Sequence, residues 1–157
     1  MLGVRLQTPV MLSVGIIPSD TVATTTIPIP VSTIGDETAL VLPENYDGKT
    51  YCILAFAFNT CDTLTSVSIG NGVTYIGDYA FWFHDDLTSV TIGSSVTEFG
   101  WSAIAYCDHV REVRYEGTVA QWNAIDGAGR FFASHDIEKI TVICLDGSVD
   151  VYTVSGE

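Results

Sequence analysis

The sequence predicts a mainly β fold: a short solenoid of about three 23-residue coils, with an extended N-terminal arm and a C-terminal β-hairpin cap. Three observations predict it. LTSVSI at 64–69 returns as LTSVTI at 87–92. The same 23-residue step then carries a whole set of apolar positions. Finally, 47% of the 157 residues are hydrophobic and 16% are charged, enough apolar material for the core of one domain.

The first element is the strand. A further step of 23 from LTSVTI lands on VREVRY at 110–115. In Leu64-x-x-Val67-x-Ile69 the last apolar residues alternate with period two, which places them on one face of a strand. The second element is the return. The step relates Val73, Val96 and Val119, and it relates Ile53, Ile76 and Phe99. It also relates Ala57, Ala80 and Ala103, then Phe58, Phe81 and Ile104. Val73-x-x-Ile76-x-x-x-Ala80-Phe81 is therefore expected to bring the chain back along the opposite wall. Gly70, Gly72, Gly77, Gly93 and Gly100 mark the bends between walls. A single coil cannot bury its apolar face, so coils stack into a continuous core. Helix is expected to be scarce and short.

The run IGNGVTYIGDYAFWFHDDLTSVTIGSSVTEFG resembles the BspA-like leucine-rich repeat family, whose units carry I-G-x-x-A-F, a Cys-type turn position and L-T-S-V-x-I. LPENYDGKTYCILAFAFNTCDTL looks like a leading unit with a four-residue insertion before Thr50 and with Leu54 where the pattern has Gly77. YEGTVAQWNAI, residues 115–125, is similar to a closing unit. The resemblance covers roughly residues 40–125 and implies a leucine-rich-repeat solenoid. It implies little about function, because the family is defined by its scaffold.

Residues 1–39 form the arm or cap, 40–125 the solenoid and 126–157 the C-terminal cap. TVATTTIPIPVSTIG in the arm is rich in β-branched residues, and Pro28 and Pro30 favour an extended or edge conformation. The arm either covers the first coil or docks on another subunit, with Ile27, Pro28, Ile29 and Pro30 as the expected assembly contact. At the other end, KITVIC at 139–144 and SVDVYTV flank Asp146-Gly147, a hairpin signal. That hairpin closes a sheet edge that is otherwise open.

Acids outnumber bases 19 to 6, for a net charge of -13. Such a surface repels phosphate backbones, so nucleic acid is not expected, and no segment is long enough to span a bilayer, so neither is membrane insertion. In the start, MLGVRLQTPVMLSVGII, Gln7, Thr8 and Pro9 interrupt the apolar run, and it is not read as a convincing signal peptide. The expected location is a surface, of a virion or in the extracellular space.

Cys61, His84 and Cys107 share one register, as do Asp62, Asp85 and Asp108. Coils about 4.8 Å apart separate Cys61 from Cys107 by ~10 Å, which excludes a disulfide and argues against a shared zinc ion. The column reads as a turn where a small side chain tucks inward, and the acids with Asp86 read as turn residues before each strand. No metal and no cofactor are expected. His84, His109 and His135 stand beside no evident nucleophile, and no phosphate loop, dinucleotide fingerprint or nucleophile elbow is present. No catalytic residue is expected and the chain is read as no enzyme.

Binding has better candidates. Trp82, Phe83, Trp101 and Tyr106 lie outside the inward-pointing set. Phe83 and Tyr106 share a register and are expected to neighbour each other on the outer wall. Such aromatics suit a protein groove or a glycan face, unless the arm or a loop covers them. The other face carries Ser66, Ser68, Ser89, Thr91, Glu112 and Arg114, either a ligand surface or solvated sheet. The expected function is a non-catalytic interaction module binding protein or carbohydrate. The alternative is a structural subunit of a symmetric assembly, such as a phage virion decoration or fibre protein, anchored by the arm.

Overall fold

The computed structural model describes residues 39–45, 48–59 and 63–153 in full, and the backbone of short strands between 11 and 38. These leading strands are β1 (Met11–Leu12), β2 (Gly15–Ile16), β3 (Ala23–Thr24), β4 (Ile27–Pro28), β5 (Val31–Ile34) and β6 (Glu37–Val41). β1 pairs antiparallel with β4, and β2 with β3. β5 pairs antiparallel with β6 and so adds a strand to the edge of the first coil.

From β6 onward the chain winds through three parallel ladders. The main wall stacks β6, β8 (Leu64–Ile69), β11 (Ser89–Ile92), β14 (Glu112–Tyr115) and β16 (Lys139–Ile143). The second wall stacks β7 (Tyr51–Ile53), β9 (Val73–Ile76) and β12 (Glu98–Phe99). The third stacks β10 (Phe81–Trp82), β13 (Ile104–Ala105) and β15 (Phe132–Ala133). The result is the mainly β solenoid of about three turns that the repeat predicts. The single return wall is in fact two, because the chain bends again between Ile76 and Phe81. Gly77 is the hinge, and its amide donates to the Ile53 carbonyl of the preceding coil (2.8 Å).

Register follows the 23-residue step. Val67 pairs with Val90 and Val90 with Val113, while Phe81 pairs with Ile104. In the leading unit Leu40 pairs with Val67 but Ile53 with Ile76, so four extra residues lie between β6 and β7. Inward positions form buried columns through the lumen: Leu40, Val67, Val90, Val113 and Val142 on the main wall, and Phe58, Phe81, Ile104 and Phe132 on the third. The rings of Phe58 and Phe81 lie 4.8 Å apart and 5° from parallel, the spacing of adjacent strands.

That spacing explains the glycines. An added Cβ at Gly77 would stand 2.5 Å from the Ala55 amide nitrogen of the coil beneath, and one at Gly100 the same distance from that of Asp78. Leu54 occupies the equivalent place in the first coil, at the end of the second-wall ladder, where no earlier coil of the solenoid lies beneath.

The last coil departs from the step. Val119 does not lead into a second-wall strand as Val73 and Val96 do; it opens α1 (Val119–Ala124). Thr118 accepts from the Gln121 amide (3.2 Å) while the Gln121 side chain accepts from the Thr118 amide (2.9 Å), a reciprocal cap that favours helix at this point. The detour lengthens the coil, so that Ile104 pairs with Phe132 and Val113 with Val142. It also swings Trp122 into the lumen, where its ring meets Phe99, Tyr115 and Phe131 at centroid distances of 5.6, 5.2 and 5.3 Å.

β17 (Ser148–Tyr152) turns back antiparallel on β16 as the closing hairpin. Its loop spans four residues, with the Cys144 amide donating to the Gly147 carbonyl (2.8 Å). Asp146 does more than turn the chain: its carboxylate accepts from the Val119 amide (2.7 Å), fastening the hairpin tip to the start of α1. Across the closing hairpin, Lys139 of β16 and Asp150 of the edge strand β17 form an ion pair. This pairing raises the Lys139 ammonium and lowers the Asp150 carboxyl from their usual ranges.

Two consequences are measurable. Gly100→Ala should cost about 1–3 kcal/mol, because the Asp78 and Gly77 backbone, and not only the Asp78 carboxylate, must give way. Gly129→Ala, where a Cβ meets nothing within 4 Å, should melt close to the parent. Equal melting temperatures would contradict the packing argument. Trp122→Ala should cost about 3–5 kcal/mol in urea unfolding, since it empties the closed end of the lumen.

Candidate functional site

The surface with most chemical character grows from the corners of the third wall. Five non-glycine residues among those described have positive φ: Phe56 (57°), Tyr79 (51°), Ser102 (48°), Phe83 (65°) and Tyr106 (56°). They form two columns in the 23-residue step. Phe56, Tyr79 and Ser102 precede the wall, whereas Phe83 and Tyr106 follow it. The left-handed conformation costs an L-residue roughly 1–2 kcal/mol. Hydrogen bonds hold it in place, because each corner amide donates across the coil gap. Phe56 reaches Asp78 O (3.0 Å), Tyr79 reaches Trp101 O (3.1 Å), Phe83 reaches Ala105 O (2.9 Å) and Tyr106 reaches Ala133 O (2.8 Å).

Four of these five corner residues are aromatic, and their rings join into a ridge. Tyr79 stacks on Phe56 (5.4 Å, 13°), and Phe56 meets the edge of Trp82 (6.4 Å, 89°). Trp82 meets Phe83 (5.8 Å), Phe83 meets Tyr106 (6.4 Å), and Tyr106 stacks on His135 (4.3 Å, 23°). Phe56 is 47% exposed, Trp82 38% and Phe83 53%, while Tyr106 is half-buried. The ridge thus crosses the third wall over successive coils with its rings in mutual contact.

The structure brings three of the four expected aromatics together: Trp82, Phe83 and Tyr106. Trp101 is 50% exposed but joins none of these ring contacts. It stands at the corner before Ser102, and its amide donates to the Asp78 carboxylate (2.6 Å). Phe56, Tyr79 and His135 extend the ridge and were not singled out in the sequence. The 23-residue spacing of Phe56 and Tyr79 is the signal that would have found the first two. His135 falls in the lengthened coil, where the step fails. The side chains of Ile27, Pro28, Ile29 and Pro30 lie outside the described residues; the backbone of the first two forms β4.

Next to Phe83 and Tyr106, the described members of the polar column are buried. Cys61 and Asp62 lie outside the described residues, but His84 and Cys107 are within the core. The Cys107 thiol lies 3.5 Å from the carbonyls of Phe81 and Ala105. Burial pushes its pKa up to about 12; a hydrogen bond with the His84 backbone opposes the shift, and the Asp108 and Asp85 carboxylates add to it. The amides of Leu87 and Val110 close turns onto the carbonyls of His84 and Cys107 (3.2 and 3.0 Å). Asp108 accepts from Ser134 Oγ (2.5 Å), and His109 Nδ1 donates to the Asp85 carbonyl (2.6 Å), so these residues tie one turn to the next. Among the described residues, no group of three or more His, Cys, Asp or Glu is arranged to hold a metal ion. On the main wall, Ser66 and Ser89 pair outward, as do Ser68, Thr91 and Arg114, and Glu112 lies beside Thr141.

Residues 38–146 match the BspA type leucine rich repeat region, in six copies. The chain belongs to the BspA-type leucine-rich repeat family. The matched span holds the parallel ladders of all three walls of this BspA-type protein. Among solved structures it is similar to a leucine rich cell surface protein from Faecalibacterium prausnitzii A2-165, at 18% identity and a TM-score of 0.36. The match covers 57% of this chain and 38% of that one. No curated protein matches the chain. No helix among the described residues is long and apolar enough to cross a membrane.

The buried thiol has a direct test. Burial raises the Cys107 pKa to about 12 and keeps its side chain out of solvent, and both suppress reaction of the thiol. Mass spectrometry after iodoacetamide treatment should find Cys107 unmodified in the native protein and modified in guanidinium. Labelling at the same rate in both states would contradict its placement.

Proposed function

We propose that this BspA-type chain is a non-catalytic interaction module that binds protein or carbohydrate at a surface, with the aromatic ridge as its contact. The observation that carries the reading is the continuous ring chain from Tyr79 through Phe56, Trp82 and Phe83 to Tyr106, with Phe56, Trp82 and Phe83 exposed. Large rings bring contact area with few rotatable bonds, and flat faces suit both sugar rings and protein side chains. The corner hydrogen bonds fix the backbone that carries the corner rings before any partner arrives, which lowers the ordering cost of binding. Trp101, exposed but outside the ring chain, is a further candidate contact. Cys107 and His84 are buried, so what this surface offers a partner is its ring faces.

The test is binding to glycan arrays and to immobilised extracellular proteins. Trp82→Ala with Phe83→Ala should weaken whatever binding the parent shows by at least about tenfold, or about 1.4 kcal/mol. Far-UV circular dichroism should stay unchanged, because both side chains are exposed. Binding that survives this double change and Trp101→Ala would remove the ridge from the interface.

A further inference from the structure

We infer that the ridge takes a cationic protein segment, one presenting Lys or Arg side chains, in preference to a neutral glycan; this narrows the reading above and rests on it. The first observation is charge. Between Lys49 and Arg111 the chain has no Lys or Arg, but six acids: Asp62, Asp78, Asp85, Asp86, Glu98 and Asp108. This stretch supplies the ridge from Phe56 to Tyr106.

The second observation is placement. Asp78 adjoins Tyr79 at the corner before the third wall. Asp85 and Asp86 follow Phe83 at the corner after it, and all three acids are exposed. Neither ion pair among the described residues, Arg130 with Asp126 and Lys139 with Asp150, involves them. Arg111 does lie against the Asp108 turn, donating to its carbonyl (2.5 Å), so the positive side chains begin where the ridge ends. The acids outweigh the nearest base here: the Tyr75 phenol is pushed up, mainly by burial and then by Asp78 and Glu98, with Arg130 acting against them.

The third observation is the chemistry of the rings. The faces of Trp82, Phe83 and Phe56 carry negative quadrupole potential, which attracts an ammonium or guanidinium laid across them. Carboxylates at both flanks add to the same attraction and steer a cation toward the rings. A Lys or Arg side chain also offers an apolar stem that covers the rings while its head reaches a flanking acid. A neutral sugar gains from the ring faces but nothing from the net charge.

The test uses the full chain with three probes: decalysine, decaglutamate and the neutral glucan cellohexaose. Tryptophan fluorescence reads Trp82 and Trp101, which are exposed, against the buried Trp122. Decalysine should bind at low salt, with decaglutamate and cellohexaose at least tenfold weaker. Asp85→Asn with Asp86→Asn should weaken decalysine by about three- to tenfold, and Trp82→Ala by at least about threefold. Glu112→Gln with Glu116→Gln, away on the main wall, should leave it unchanged. Equal weakening by the main-wall pair would mean attraction by bulk charge alone and would overturn the inference. So would tighter binding of cellohexaose that Asp85→Asn with Asp86→Asn leaves intact, an outcome that keeps the ridge as the contact. Cellohexaose and decalysine binding both indifferent to Trp82→Ala would remove the ridge itself.

Discussion

Successive coils are joined by backbone hydrogen bonds around all three walls, and this ladder continues through the corners. Much else in the molecule depends on that continuity. Coils held at strand spacing leave no room for a side chain at the tightest bends, so Gly77 and Gly100 are required by the backbone beneath them and not by their own dihedral angles. The same spacing sets Phe58 face to face on Phe81 within the lumen. At the corners of the third wall, amides that must reach the next coil hold Phe56, Tyr79, Phe83 and Tyr106 in the left-handed region. A constraint that secures the fold therefore also sets out the rings of the ridge.

Strain of this kind persists only where the surroundings over-determine it. Here each strained residue gives one hydrogen bond to a neighbouring coil and lies beside walls filled by buried apolar columns. The ends follow a related logic. β17 and the hairpin tip close the last coil, with Asp146 fastened to α1 and Trp122 filling the lumen. At the beginning, β5 continues the main wall antiparallel. The repeat supplies neither end; both are built from non-repeating sequence.

The solenoid was legible because a repeat states its inward positions several times. LTSVSI and LTSVTI locate the main wall, and Ile53, Ile76 and Phe99 the second. The number of walls was not legible. Val73-x-x-Ile76-x-x-x-Ala80-Phe81 gives one apolar pattern whether its backbone runs straight or bends at Gly77. Nor was α1 apparent, since Val119 keeps the step while Thr118 and Gln121 cap a helix around it. Three members of the ridge, Trp82, Phe83 and Tyr106, were visible as aromatics outside the inward set. Phe56 and Tyr79 escaped notice because nothing local in the sequence reports a left-handed corner at an aromatic residue.

The sequence by itself determined the coil length, the inward columns, the acidic balance and the aromatic content of the outer surface. These are properties of residue type and spacing, and a repeat records them directly. Tertiary structure alone decided that the coil has three walls, that Tyr79 reaches Phe56 and Tyr106 reaches His135, and that Trp101 stands apart from the ring chain. Those outcomes depend on backbone angles at the corners and on contacts between coils. Both are fixed only when one coil settles on the next at strand spacing.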